Sequence, residues 1–345
     1  MAVCDGEPYV RDAIESVLSQ SIADFEFLIV DDGSTDGTPG ILSEYQGRDS
    51  RICVFRNDTR LGPYPSVNRA LTHARGPVIA RHDADDISPA DRFAIQLDAL
   101  ESATDTSLVI GAVEFFGRRP NNTSRPPSWQ PRLEWELLFT NAVGAGAHVM
   151  FPRVIGGVPI LFPAKCRYAE DYGLWCRLSR LGRVVCPTRV VYRYRLHGSS
   201  ITSRHRPEQD ECLASIRYDY QSQYLQAGAP REAVADVSRF WNEDAARPLG
   251  KTLCDSHRVL YDLRTRFLAY VERRYGISDR VTLAGEIDRA LGDRLASWLY
   301  RSIWRLDGHA CRDVLSIASG RNEVVAVASK ALAQAARACV KQLSR

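Results

Sequence analysis

Between residues 9 and 113, short apolar runs alternate with amphipathic stretches, and this alternation restricts the fold more than any other feature of the chain. Glu26–Val30, Ile52–Phe55, Val78–Ala80 and Leu108–Val113 are too short for helices and read as buried strands. Between them, residues 9–20 place Ile14, Val17 and Leu18 on one helical stripe, and residues 37–46 and 65–74 read as further helices. Ser88 and Pro89 form an N-cap and first-turn pair for another helix, with Phe93, Leu97 and Leu100 behind them. Strands separated by helices at this spacing imply βαβ units and a mostly parallel α/β sheet flanked by helices.

Open sheets of this kind bind ligands at the carboxyl ends of their strands. This chain concentrates acids there. Val78-Ile79-Ala80 runs into Arg81-His82-Asp83-Ala84-Asp85-Asp86, and the second strand runs into Asp31-Asp32-Gly33-Ser34-Thr35-Asp36. Clustered carboxylates suit a hard divalent cation, which takes oxygen ligands and often bridges to substrate phosphates. Plainer roles also fit: a solvated acidic turn for the first cluster, and for the second a turn in which Ser34 caps the following helix.

Residues 118–131, rich in Pro, Asn and Ser, read as a loop and a candidate flap. Helices are expected at 131–140 and at Tyr168–Leu181, where Leu174, Leu178 and Leu181 make the apolar stripe. Asp171 lies on the first turn of the second helix, on the side of Leu174 and Leu178, so its carboxylate should face the sheet. Past a boundary near 203–208, strand signals fade and Arg-rich amphipathic segments take over. A domain at 1–203 and a mainly helical region at 204–345 follow from this.

The chain has 345 residues, a net charge of only +3 and nine cysteines without CxxC spacing. Those features argue against a nucleic-acid binder, a disulfide framework or a zinc site, and for a reducing cytoplasm. No apolar run is long enough to span a bilayer. The basic surface expected around Arg258, Arg264, Arg266, Arg273 and Arg274, and a small-residue helix at Val324–Val340, either pack on protein or dock peripherally on the inner face of an anionic membrane.

Taken in order, the motifs resemble those of the family 2 glycosyltransferases, inverting sugar transferases of the Rossmann-like GT-A fold. They are Tyr9 to Gln20, Asp24-Phe25-Glu26, Asp31 to Asp36, Gly62, Asn68, Asp83-Ala84-Asp85-Asp86, Pro89, Arg92, Tyr168 to Asp171, and Tyr194 to Ser200. The resemblance covers roughly residues 1–203. It implies a nucleotide-diphospho-sugar donor, UDP- or GDP-linked, and a Mn²⁺ or Mg²⁺ cofactor that offsets the charge of the departing diphosphate. It places Asp5, Asp32, Ser34, Asn68 and Asp85 around the nucleotide-sugar, and Asp86, Asp83 and His197 around the metal, with Asp86 the direct ligand. It makes Asp171 the general base that takes the acceptor's proton, with Glu170 orienting the site. The residues keep plainer readings: Asn68 as a helix cap, Glu170 and Asp171 as macrodipole partners, His197 on the surface, and His148 in the core or on the surface rather than at the acceptor.

Two departures stand out. Cys4 and Asp5 occupy positions where the family has an aromatic and Asn. The first strand is also short by about four or five residues against the usual strand length, which predicts a start upstream of Met1 or a truncated chain. The Gln-x-x-Arg-Trp motif of processive synthases is missing, so one sugar per encounter is expected, added to a glycan, lipid-linked or small-molecule acceptor. Two other classes compete. A sugar-1-phosphate nucleotidyltransferase would need a Gly-rich basic loop, which residues 1–20 lack. A non-catalytic nucleotide- or sugar-binding relative would have no use for Asp85, Asp86 and Asp171.

Overall fold

A computed structural model describes residues 1–117, 122–144, 146–197, 206–225, 229–242 and 253–304. The chain divides into two compact units. The first comprises Met1–Leu137 and Asn141–Ile216, and the second comprises Leu138–Thr140 with the chain from Arg217 onward.

The first unit is α/β. Its elements run β1 (Ala2–Val3), α1 (Val10–Leu18), β2 (Phe27–Asp31), α2 (Thr38–Arg48), β3 (Ile52–Arg56), α3 (Pro63–His73), β4 (Val78–Ala80), α4 (Arg92–Glu101), β5 (Thr106–Val109), β6 (Ala112–Gly117), β7 (Asn122–Ser124) and α5 (Gln130–Leu137). Then come β8 (Met150–Pro152), a β9–β10 hairpin (Val154–Ile155, Val158–Pro159), α6 (Glu170–Leu181), β11 (Arg183–Val185), β12 (Val190–Leu196) and α7 (Arg206–Gln221).

β1, β2 and β3 pair in parallel in that order. A second ladder has the order β11-β5-β8-β4, in which β8 runs antiparallel to both neighbours. A third places β6 between β12, parallel, and β7, antiparallel. The apolar stripe of α1 packs Val10, Ile14 and Val17 against Val3, Phe27 and Ile29, with Ile41, Leu42 and Tyr45 of α2 closing the cluster. At the start of α3, Gly62 takes a φ of 104°, a left-handed conformation open mainly to glycine, and Pro63 then supplies the fixed φ of a first helical residue.

Four local expectations give way to tertiary contacts. The run Leu108–Val113 is not one strand, because the chain changes partners at Ile110-Gly111: β5 joins β11 and β8, whereas β6 joins β12 and β7. Ser88 does not cap α4, which begins at Arg92. The Ser88 amide donates to Ser16 Oγ, and its hydroxyl meets His82 Nδ1 at 3.1 Å and accepts from Arg92 Nη1 at 2.9 Å. Ser34 does not cap α2 either; its hydroxyl accepts the Asp5 amide at 3.0 Å, and Asp36 accepts the Thr38 amide at the head of that helix. Part of the expected 118–131 loop is a strand, since β7 lies at 122–124, and residues 118–121 of the candidate flap lie outside the described residues.

Arg92 has no solvent exposure. Its guanidinium donates to Gln96 Oε1, to Ser88 Oγ and to the carbonyls of Arg81 and Ala147. One buried cation therefore fastens the end of β4 to α4 and to the segment leading into β8.

The second unit is helical in its described part: α8 (Arg231–Trp241), α9 (Leu253–Tyr275) and α10 (Ile277–Trp304). Its interior holds Val234, Val237, Trp241, Leu263, Phe267, Val271, Leu283, Ile287 and Leu291, each under a tenth exposed. Phe139 stacks on Trp241 with ring centroids 4.9 Å apart. The helix expected at Val324–Val340 lies outside the described residues.

Candidate active site

The acidic cluster follows β4 directly, and its turn is stitched to β12. Ile87 and Arg193 exchange backbone hydrogen bonds, the Arg195 amide donates to Asp86 Oδ1 at 2.7 Å, and Arg195 Nε donates to the Asp85 carbonyl at 2.7 Å. The Asp83 amide donates to the Tyr192 hydroxyl. Two strands separated by a hundred residues thus hold the three carboxylates in place.

The three are not equivalent. Asp83 is forked by Arg81, with Nη2 2.9 Å from Oδ1 and Nη1 3.4 Å from Oδ2. Asp86 is 1% exposed, and its Oδ2 is buried with no hydrogen-bond partner. The Asp85 side chain is 39% exposed against 31% for Asp83, and its Oδ2 lies 2.9 Å from His197 Nε2. Burial, reinforced by Asp85 and Asp83, pushes the Asp86 carboxyl well above the ordinary carboxylate range. Burial also raises Asp83, against the pull of Arg81.

The donor set suits a hard cation only in part. Among the described residues no three His, Cys, Asp or Glu side chains converge in metal-binding geometry. The touching pair Asp85 and His197 offers one oxygen and one nitrogen, and a cation of the Mg²⁺ type completes its shell with water and substrate phosphate when protein supplies only one or two ligands.

Among the residues expected at the nucleotide, Asp5 has a φ of 51°, the left-handed conformation that Asn and Asp tolerate best among residues with a side chain. That conformation explains why Asp can stand where the family has Asn. Asp5 Oδ1 accepts the Thr35 amide at 2.9 Å. Asp31 accepts the Ser34 amide and pairs with Arg56 at 2.9 Å. Asp32 accepts from Asn57 Nδ2 and from the Leu61 and Gly62 amides at 2.7–2.8 Å. Burial opposes its charge, but those donors outweigh burial and hold its carboxyl below the usual range. Asp32 is itself only 3% exposed. Asn68 lies inside α3 and caps no helix. Its side-chain amide exchanges two hydrogen bonds with the backbone of Phe162, each 2.9 Å.

Asp171 sits on the first turn of α6. Its Oδ1 accepts the Tyr172 amide and its Oδ2 accepts Asn141 Nδ2 at 3.2 Å. Burial raises its carboxyl, while the Tyr172 amide and Arg81 pull the other way. A methyl built on Gly146 would lie 3.0 Å from Asp171 Oδ2 and 3.2 Å from Arg81 Nη1, so only glycine leaves that space open. Glu170 is 4% exposed, and burial lifts its carboxyl to about 7. His148 is wholly buried, with its ring 6.5 Å from that of Tyr192, a core position rather than an acceptor-facing one.

Sequence alone assigns no role to Arg81, Asn141 or Gly146. Arg81 follows a strand end directly, where an arginine reads as solvated; its burial depends on Tyr64 and Phe162, whose rings lie 5.2 and 5.9 Å from the guanidinium carbon. Nothing local marks Asn141 or Gly146.

Parallel strands flanked by helices, with acids at the strand ends, are the architecture of the GT-A class of sugar transferases. A solved structure of S. aureus TarS 1-349 in complex with UDP-GlcNAc shares this fold with a TM-score of 0.56, covering 84% of this chain and 90% of that one at 17% identity. The sequence profile of Glycosyl transferase family 2 matches residues 1–153. An uncharacterized glycosyltransferase of Haemophilus influenzae is 29% identical over 231 residues, 64% of this chain and 72% of the relative. The Escherichia coli enzyme named UDP-Glc:alpha-D-GlcNAc-diphosphoundecaprenol beta-1,3-glucosyltransferase WfgD is 30% identical over 203 residues, 58% of this chain and 76% of the relative. This chain belongs to glycosyl transferase family 2 and is a glycosyltransferase. Among the described residues, no helix is long and apolar enough to cross a membrane.

Proposed function

We propose that this glycosyltransferase is cation-dependent and inverting, and that it moves one sugar from a UDP- or GDP-linked donor to an acceptor hydroxyl in glycan or glycoconjugate biosynthesis. One observation carries the reading: the acidic turn that holds Asp85 and His197 together is joined through the Asp83–Arg81 pair to the empty Cβ position of Gly146, where Asp171 also stands. That arrangement separates leaving-group stabilisation from proton removal, as a single displacement at the anomeric carbon requires.

In this reading Asp85 and His197 would hold a Mn²⁺ or Mg²⁺ ion, whose chemistry is to neutralise the departing diphosphate. The direct-ligand role passes from Asp86 to Asp85, because Asp86 is buried and fastened to the Arg195 amide. Asp83 stays with Arg81 and faces the donor. Asp5, Asp32 and Ser34 form the wall for the nucleoside. Asp171 accepts the proton of the acceptor hydroxyl, and burial of the neighbouring Glu170 keeps a second full negative charge from building up beside it.

The acceptor follows from the relatives alone. The printed name of WfgD specifies a UDP-glucose donor and a diphosphoundecaprenol-linked acceptor, so UDP-sugars and polyprenyl-diphosphate-linked sugars come first in a screen. A lipid-linked acceptor would put the enzyme at the cytoplasmic face of a membrane. Electrostatic docking through α9 is weakened, because Arg264 is paired with Asp288 and Arg266 with Asp262.

The test is transfer from UDP- and GDP-sugars with Mn²⁺, Mg²⁺ or EDTA, and assignment of the product anomer by NMR. Loss of transfer in EDTA and inversion at the anomeric carbon are expected. A product of retained configuration, or full turnover in EDTA, overturns the reading.

A further inference from the structure

The buried guanidinium of Arg81 has a role that pairing with Asp83 does not exhaust. Its side chain is only 6% exposed. It lies against the faces of Tyr64 and Phe162, whose rings are 4.9 Å apart, and Asn68 clamps the Phe162 backbone from behind. Nη1 and Nη2 reach Asp83, while Nε is buried without a hydrogen-bond partner. On its other side, across the empty Cβ position of Gly146, stands Asp171. A cation so confined cannot swing to solvent, and its charge acts on both carboxylates through little screening.

We propose that Arg81 is a positioning residue for sugar transfer: fixed by the Tyr64–Phe162 clamp, it faces Asp171 across Gly146 and keeps that carboxylate ionised and aimed into the space Gly146 leaves. The proposal rests on Asp171 being the base. The groups that face Asp171 include Arg81 from the end of β4, Asp83 from the acidic turn, Tyr64 from α3, and Glu170 and Cys176 from α6 itself. Of these only Arg81 is cationic. Burial drives the Asp171 carboxyl upward, and Asp83 adds to that drive; the Tyr172 amide, Arg81 and Asn141 oppose it, and of these three Arg81 alone carries a charge. A neighbouring cation commonly moves a carboxyl by about one to three pH units. Gly146 belongs to the same device, since any side chain there would separate the two charges.

The experiment compares the full-length enzyme with Arg81→Met, Arg81→Lys and Gly146→Ala. Two quantities are followed: kcat against pH, and the titration of the Asp171 carboxyl by ¹³C NMR of Asp-labelled protein, assigned with Asp171→Asn. In Arg81→Met the Asp171 titration and the acid limb of kcat should both move up by about one unit or more, with kcat on that limb down about tenfold or more. Arg81→Lys should restore most of the shift. Gly146→Ala, which removes no charge, should move both quantities upward by a smaller step, and it carries the test if Arg81→Met does not fold. An Asp171 titration unchanged in Arg81→Met or in Gly146→Ala overturns the proposal, as does a loss of kcat that is uniform across pH and not relieved by lysine. Failure of the base assignment looks different: Asp171→Asn would then retain transfer.

Discussion

The two units of this chain bury polar groups in opposite ways. At the carboxyl end of β4, within a dozen residues, Arg81, His82, Asp86, Ser88 and Arg92 are all nearly removed from water. In the described helices α8, α9 and α10 the buried side chains are chiefly Leu, Val, Phe and Trp, with Asp236 and Ser238 as polar exceptions. Burying a charge is costly unless it is paired and hydrogen-bonded, so a fold under stability selection alone would build the first region like the second. The concentration of charge at β4 therefore marks where stability is given up for chemistry. The apolar helices are what a chain looks like when packing is the main demand.

Four substitutions would break or sharpen this contrast. The largest effect is expected from Asp171→Asn, which removes the proposed base while keeping its size. Transfer should fall by about 10²–10⁴-fold, with UDP affinity in the presence of Mn²⁺ retained when measured by calorimetry. Loss of nucleotide binding in step with turnover would show Asp171 to be structural.

Phe267→Ala takes a fully buried ring out of the second unit. A cost of about 3–5 kcal/mol in the stability of that unit is expected, read from denaturant unfolding, with kcat unchanged at temperatures where the variant is folded. A slower folded variant would mean that the helices share in catalysis and that the contrast is misdrawn.

Glu170→Gln should act on stability in a pH-dependent manner. The Glu170 carboxyl, at about 7 in the folded protein, lies above its ordinary value of 4.5. The folded state therefore binds the extra proton, and stability falls as pH rises from the ordinary carboxylate range through about 7. Glutamine cannot ionise, so the variant should gain Tm over the parent at pH 8 by a few degrees, as a change of about 1 kcal/mol does, and gain little at pH 5. An equal difference at both pH values would remove Glu170 from the set of strained groups.

Val281→Gln is the control at the small end. Val281 is 61% exposed on α10, and a stability change within about 0.5 kcal/mol is expected from urea unfolding. A larger loss would reveal a contact surface at an exposed position of a helix whose buried side is formed by Leu283, Ile287 and Leu291.

Legibility from sequence followed the range over which each feature is determined. α1, β2 and β4 could be read within a residue or two because their own apolar periodicity decides them. The two-residue strands β9 and β10 and the three-residue β7 and β11 went unread, since so short a segment is a strand only by virtue of its partner. Ser88-Pro89 carried a strong helix-start signal that the buried bonds to Ser16, His82 and Arg92 override. In the site, Asp83, Asp85, Asp86 and Asp171 were visible as acids at element ends. The unequal roles of those acids were not, because they depend on Arg195 closing over Asp86 and Arg81 capturing Asp83. Asn68 shows the same limit, since its two bonds to Phe162 span 94 residues.

The buried Arg92 fixes something about time as well as place. Its guanidinium can leave water only when the Arg81 carbonyl, the Ala147 carbonyl and the Ser88 hydroxyl are already assembled around it. Closing the loop from residue 92 to residue 147 precedes any reward from those bonds. Its desolvation therefore falls after the rate-limiting barrier, and Arg92→Lys should speed unfolding while leaving the refolding rate nearly untouched. The interaction that holds the end of β4 beside the acidic turn is then a lock closed last, and it sets how long the assembled site lives more than how fast it forms.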